Sequence, residues 1–345
     1  MKKIFLILVI IFLIFTISCS EDQNNYELDD TDNQSEEENE SINDKSEKVV
    51  SPLSGIYTEK NKVDRRPVAV MFDNHRNARW QSGLSEAEVL YEFLVEGKIT
   101  RYMAIYLVND PEVIGPVRSS RPYFLSAALE YDSLYVHCGG SPEAVEDIEK
   151  LNIDNVSCMS ESNDVFYRNN EVGKSSPHNL YTNMESIRKY QDEIGYNLDG
   201  DYEAFSFNKE IKSIKGDNAK EVIIDYGLNN ITSYKYDDES NLYLRYKDGK
   251  PHIDENNNTN LTATNIIIQE ANTQVIDEQK RLQIDIIGKG EGYYITNGEY
   301  IKITWEKDSR ESKTRYYDEL GKEIILNPGN TWIQVTPINP EIKIS

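Results

Sequence analysis

Arg118 and Arg121 frame a pair of serines in IGPVRSSRPYF (114–124), between a Gly-Pro and an Arg-Pro step. Pro122 suits the first turn of a helix, where its missing N–H has no partner to lose, and Ser119 or Ser120 is placed to cap the free amides. A helix start carries partial positive charge and open N–H donors. Two guanidinium forks beside it would build a receptor for a phosphate or carboxylate. A second helix start, HCGGSPEA (137–144), follows a strand through Gly139 and Gly140, which allow close approach to the backbone, and Ser141-Pro142 supplies a cap and a first-turn proline. If both turns lie at one end of a sheet, Arg118, Ser119, Ser120, Arg121, Gly139, Gly140 and Ser141 face one anion-accepting cleft. The competing reading is that the arginines pair with internal carboxylates such as Glu92, Glu96, Glu130 or Asp132 and hold no ligand.

Other chemistries find little support. His75, His137, His178 and His252 all sit in turn-like contexts without metal-ligand spacing, so they are expected to fix loops by hydrogen bonding. Cys138 beside His137 does not make a nucleophile pair, because adjacent strand residues point to opposite faces. There is no Gly-x-Ser-x-Gly elbow. No catalytic residue, metal site or cofactor is assigned. The tyrosines of the C-terminal half (Tyr234, Tyr236, Tyr243, Tyr246, Tyr293, Tyr294, Tyr316, Tyr317) read as cross-strand packing, with a stacking surface for sugars or a protein partner as the alternative.

The elements that must position these residues change character near 205–215. Before that point strands and helices alternate: strands over 67–73, 101–108 and 133–138, and helices over 85–94, over 122–130 and after Ser141, the last with Val145, Ile148 and Leu151 as its buried stripe. Residues 101–108 and 113–117 are too close for a crossover and are expected to pair as a hairpin around Asn109-Asp110-Pro111. After it nearly every segment reads as a strand, separated by Asp-Gly, Asn-Gly and Pro-Gly turns. The expectation is an α+β fold: an α/β part with a mixed sheet and packed helices (51–210), then a β-rich part (211–345).

The chain of 345 residues carries a formal charge of −23. It opens MKKIFLILVIIFLIFTISC, where a charged start, a largely apolar run from Ile4 to Ile17 and a small residue before Cys19 read as a signal peptide over 1–18. Such a run makes about 21 Å of helix, short of the roughly 30 Å hydrocarbon core. TISC resembles a lipobox, with Cys19 lipidated and the membrane as its partner. Residues 19–50 then read as a disordered acidic tether, since 12 Asp and Glu stand against Lys45 and Lys48 with few apolar side chains. Setting aside the two signal lysines and the tether's excess of ten negative charges leaves −15 for the body. That argues against nucleic acid as a partner, because basic surface supplies most of that affinity. Cys138 and Cys158 could form one disulfide, but the residue reading takes them as two small buried side chains.

With these motifs assembled, the chain resembles the YerB-like family of bacterial lipoproteins. The residues that carry the likeness are the long stretch 66–106 from RPVAVMFDNH to RYMAIY, IGPVRSSRPYF (114–124), YVHCGGSPEA (135–144), SPHNLYT (176–182), NGEYIKITWEK (297–307) and NPGNTWIQVTP (327–337). The resemblance implies a lipid-anchored position on the outer face of the cytoplasmic membrane and a β-rich C-terminal domain, and says little of activity. A narrower stretch, 97–156, resembles the core of the LytR-CpsA-Psr enzymes, which would make Arg101, Arg118 and Arg121 a grip on a lipid pyrophosphate. This sequence departs from that pattern: no Asp follows Arg118 or Arg121, and none stands beside Arg101 to hold magnesium. The reading favoured is a binding or scaffold protein of the cell envelope, for an anionic envelope ligand or an envelope protein. The alternative is a phosphotransferase-like enzyme on polyprenyl-phosphate-linked cell-wall polymers.

Overall fold

Val68–Asp73 (β1), Val89–Leu94 (β2) and Thr100–Tyr106 (β3) are strands in which every residue is buried. A strand covered on both faces loses the alternation of apolar and polar residues. That is why Val89, Leu90, Phe93 and Leu94 imitate a helical stripe: the helix expected over 85–94 is instead β2, preceded by a single 3-10 turn at Leu84–Glu86. The computed structural model describes residues 47–160 and 163–345. The expected signal peptide, Cys19 and most of the tether lie outside the described residues. Lys48–Val50, at the tether's end, pairs with Tyr57–Glu59 as a short hairpin.

The middle of the chain follows expectation more closely. Pro122–Leu129 (α1), Leu134–His137 (β4), Pro142–Lys150 (α2) and Asn155–Ser157 (β5) follow one another, with Met184–Glu193 (α3) beyond them. In α2 the buried side chains are Ala144 and Ile148, while Val145 and Leu151 of the expected stripe are exposed. The expected hairpin does not form. β3 lies between β1 and β2, and residues 114–117 instead bridge to Ser82, Phe72 and Thr182. A short connection permits a hairpin, but here both long edges of β3 are already occupied.

The C-terminal half supplies Glu221–Asp225 (β6), Ile231–Asp237 (β7), Leu242–Lys247 (β8), Asn265–Ala271 (β9), Gly288–Thr296 (β10), Glu299–Lys307 (β11), Thr331–Pro337 (β12) and Glu341–Ile344 (β13). The large sheet runs β11-β10-β9-β12-β2-β3-β1-β4-β5 along its main strands. It is mixed, and continuous across the two halves, because β12 inserts parallel to both β9 and β2. A smaller antiparallel sheet holds β8-β7-β6-β13. The fold is α+β, with a mixed sheet and helices first and β structure after. Residues 47–345 pack as one compact unit. Tyr234, Tyr243, Tyr294 and Tyr316 are buried in it, and Tyr236 opposes Tyr243 across β7 and β8.

The two faces of β2 are used differently. Tyr91 and Phe93 stack on each other and meet Tyr123, Phe124 and Tyr131 from α1 and its end. Glu92 points the other way, to the small sheet. It is fully buried, paired with Arg245 and with Lys247 Nζ at 3.0 Å, and accepts from the hydroxyls of Thr100 (2.6 Å) and Thr232 (3.0 Å). Arg245 is fully buried too: its guanidinium stacks 4.0 Å from the Trp332 ring centroid, and His252 and the Tyr234 hydroxyl contact its remaining nitrogens. Burial alone would raise the Glu92 carboxyl, but Lys247, Arg245 and the Thr100 hydroxyl override it and hold it at about 2.

Glu92→Gln leaves two buried cations uncompensated, and it is expected to destabilise the protein by about 3–5 kcal/mol at pH 7. Because the folded value lies below the ordinary 4.5, the charge's contribution is complete above that pH and is lost as the pH falls toward about 2. Urea unfolding of both forms at pH 7 and at pH 2.5 checks this. The gap between them should shrink at the lower pH.

Candidate functional site

The two helix-start turns lie side by side at one end of the sheet, hydrogen-bonded to each other. β1 and β4 are parallel neighbours, and residues 116–121 run past their carboxyl ends. Asp73 N donates to Pro116 O (2.9 Å), Arg118 N to Met71 O (3.0 Å), Cys138 N to Arg118 O (3.0 Å) and Ser120 N to Gly139 O (2.9 Å). Ser120 and Gly140 form a parallel bridge. Gly139 has φ +72°, a conformation that side-chain-bearing residues rarely adopt. Ser141 caps α2 by accepting from Ala144 N, as expected. Neither Ser119 nor Ser120 caps α1; its N-cap is Arg121, and Ser120 is buried with its Oγ accepting from the Tyr135 hydroxyl at 2.8 Å.

The three candidate arginines have different surroundings. Arg121 pairs with Glu96 through Nε at 2.6 Å and donates from Nη1 to Ser120 O, so its fork is largely occupied. Arg101 is buried and donates to Ser119 O at 2.7 Å, and burial, followed by the charge of Arg121, pushes its guanidinium down to about 10. Arg118 stays 30% exposed, with Asp73 Oδ2 3.3 Å from its Nε. Arg121 and Ser141 open onto a cavity of about 560 Å³ that also holds Arg281 and Arg310, but those two pair with Asp277, Glu143 and Asp147. Arg118 is not among that cavity's walls. Of the three, Arg118 has the guanidinium least committed to the fold.

Sequence reasoning missed the group beside it. Asp73, at the end of β1, is buried and accepts from His178 Nδ1 at 2.8 Å, while its other oxygen accepts from His75 N at 2.9 Å. The His75 and His178 rings stack, with centroids 4.6 Å apart and planes 10° from parallel. A carboxylate can only accept here, so His178 carries its proton on Nδ1 when neutral and presents a lone pair at Nε2. That nitrogen can take or return a proton, and Arg118 can neutralise a negative group next to it. Burial, then the neighbouring His178, pushes the His75 imidazole below its ordinary value, against the pull of Asp73. Asp73 also stands opposite Arg101 in the pairing of β1 with β3, so the acid sought near Arg101 comes from another strand. Among the described residues, no three side chains of His, Cys, Asp or Glu group as metal ligands. His137 behaves as expected of a loop-fixing histidine, contacting Gly139 O and Asn155.

Cys138 and Cys158 form a disulfide, with Cα atoms 4.8 Å apart, where two small separate side chains were expected. It ties the Gly139-Gly140 turn to the end of β5; the 20-residue separation closes because β4 and β5 are parallel neighbours joined through α2. Replacing both with Ser is expected to cost about 3 kcal/mol through the freed loop entropy of the unfolded chain. Denaturant unfolding with and without reductant measures it; only the unsubstituted protein should respond to the reductant.

Residues 53–197 match the family described as "Protein of unknown function (DUF3048) N-terminal domain", and residues 222–333 match its C-terminal domain. The chain is 34% identical over 305 residues to the "Putative lipoprotein YerB" of Bacillus subtilis (strain 168), covering 87% of this chain and 90% of that protein. The crystal structure of the YerB protein from Bacillus subtilis superposes with a TM-score of 0.78 at 34% identity, covering 86% of this chain and 99% of that one. Motif order, fold and both domain matches agree: this chain belongs to the DUF3048 family, the family of YerB.

Proposed function

We propose that the chain is a lipoprotein of the bacterial cell envelope, held on the outer face of the cytoplasmic membrane by lipidated Cys19. Its signal peptide (1–18) and acidic tether (19–50) precede an α/β part (51–210) and a β-rich part (211–345). The likeness to a relative called a lipoprotein supports the anchoring, together with the charged, apolar and Cys19 pattern of the N-terminus. The body is a binding or scaffold module whose cleft accepts an anionic envelope ligand or an acidic face of an envelope protein. The observation that carries this reading is Arg118, a partly exposed guanidinium at the carboxyl ends of two parallel strands. In this reading Arg101, Ser119, Ser120, Gly139 and Gly140 support the Arg118 turn, Ser141 opens onto the neighbouring cavity, and Arg121 braces the turn through Glu96.

The phosphotransferase-like alternative draws support from one arrangement. Asp73 orients His178 beside Arg118, which is how a proton acceptor is set next to a charge-neutralising group. Acting on a polyprenyl-phosphate-linked polymer, such an enzyme would also call for a divalent metal at the phosphates.

Calorimetry of residues 47–345 with a short-chain polyprenyl pyrophosphate, with and without magnesium, tests both. Binding is expected to weaken at least tenfold in Arg118→Ala with a smaller drop in melting temperature than in Arg121→Ala, because His178 still donates to Asp73. Arg121→Ala is expected to lower the melting temperature, because Glu96 loses its partner. No binding by the unsubstituted body sinks the cleft. Turnover that needs magnesium and His178 would replace the binding module with the enzyme.

A further inference from the structure

A second polar cavity, of about 320 Å³, lies between the loop after β1 and the turn joining β6 to β7. Its size is near the lower end of small-molecule sites, roughly 300–1,000 Å³. Three independent observations bear on it. The first is charge. Arg76, Arg79 and Lys98 line it in a body of −15, and only Arg79 has a carboxylate partner, Asp248; the side chains of Arg76 and Lys98 form no ion pair among the described residues. In so acidic a chain, cations left unpaired around a concave surface are a receptor for negative charge.

The second is an orphaned acceptor. Asn230 is in the cavity wall, and its Oδ1 is buried without a donor among the described residues. Its orientation is fixed, because Nδ2 donates to Lys98 O at 2.7 Å. Buried polar atoms of this kind are uncommon and call for a partner. The third is backbone conformation. The turn Gly227–Asn230 closes with Asn230 N donating to Gly227 O, and its central residues Leu228 and Asn229 have φ +54° and +59°. Turns with two positive φ values favour Asn, Asp and Gly, and a bulky residue there is strained. Leu228 gains no burial in return, since it is 77% exposed at the rim of the cavity. Lys98 across from it also has positive φ, following Gly97. Strain held without a packing gain is found where a chain clasps a ligand.

We propose that this cavity binds an anionic pyranose, a sugar ring bearing a phosphate ester or a carboxylate. Arg76 and Lys98 take the anionic group. The 227–230 turn closes on the ring, bringing the Asn230 carbonyl to a sugar hydroxyl and Leu228 onto the ring's C–H face, opposite the half-exposed Ile99. A bare anion would leave the acceptor and Leu228 without a role, and a neutral sugar would leave the cations unpaired. His75, stacked on His178 beside Asp73 and Arg118, belongs to this cavity's wall, so the site adjoins the Arg118 turn, but the Arg118 side chain is not among its lining.

The test is titration of the full-length chain in detergent with glucose 6-phosphate, glucuronic acid, inorganic phosphate and glucose, read by calorimetry. At least one of the two anionic sugars should bind at least tenfold tighter than both glucose and inorganic phosphate, and which one does so names the anionic group. Arg76→Ala with Lys98→Ala, both exposed, should weaken that binding at least tenfold without changing the melting temperature. Leu228→Gly should raise the melting temperature and weaken binding severalfold, and Arg118→Ala should leave it intact. Binding no tighter than that of glucose or phosphate, or an affinity untouched by the paired Arg76 and Lys98 substitutions, overturns the proposal. Loss of binding in Arg118→Ala would transfer the ligand to the other cleft and overturn it equally.

Discussion

Glu92 is the carboxylate on which the arrangement of the two halves depends. It sits in the middle of β2 with no access to water and has to be neutralised from the C-terminal half, by Arg245 and Lys247 of β8. A buried pair of this kind gains little over a well-packed apolar contact, because desolvating the charges offsets their attraction. Its consequence is specificity: only one register of the small sheet on the large one places both cations and the Thr232 hydroxyl against the same two oxygens. The apolar side chains around it could slide. The charges cannot.

The same device recurs across the join. Glu130 at the end of α1 takes Lys307 of β11 and the Thr314 hydroxyl. Asp254 reaches back to the amides of Gly83 and Ser85, and Glu255 holds Lys174, whose Nζ also meets the Tyr181 hydroxyl. With β12 inserted between β9 and β2, these contacts make the N-terminal turns dependent on the C-terminal strands. Both candidate sites inherit that dependence. The turn that carries Arg118 hangs from β1 and β4, and the cavity at Asn230 is walled by loops from both halves.

Much of this was legible in the residues where local rules decide. Pro122 and Ser141-Pro142 mark the starts of α1 and α2, and the alternation in β8 and β11 marks strands. Local rules fail where burial is complete. In β2 the apolar residues on both faces erase the period of two, and the one polar residue, Glu92, looks like a break instead of the centre of the fold. Residues 113–117 are read as a hairpin partner because they are near in sequence, yet their partners are Phe72, Ser82 and Thr182. The disulfide was open for the same reason: two cysteines carry no record of their spatial distance.

The site was harder to read, and the reason is geometric. Arg118 and Arg121 are three residues apart and look equivalent, but the turn sends them to different surroundings, one to Glu96 and Ser120 O, the other to the edge of Asp73. Asp73 and His178 are separated by 105 residues, and no spacing rule links them. One signal was present. FDNH and SSPHNLY each place a histidine in a turn beside residues suited to fix it, and both turns belong to segments that follow or meet the end of β1. Two histidines held rigidly next to one buried carboxylate and one partly open arginine cost the fold two charges it does not need for its core. The core is already fixed by Glu92 and Glu130, and the stacked imidazoles hold the loops around the end of β1, His178 by donating to Asp73 and His75 by accepting from Asn77 N.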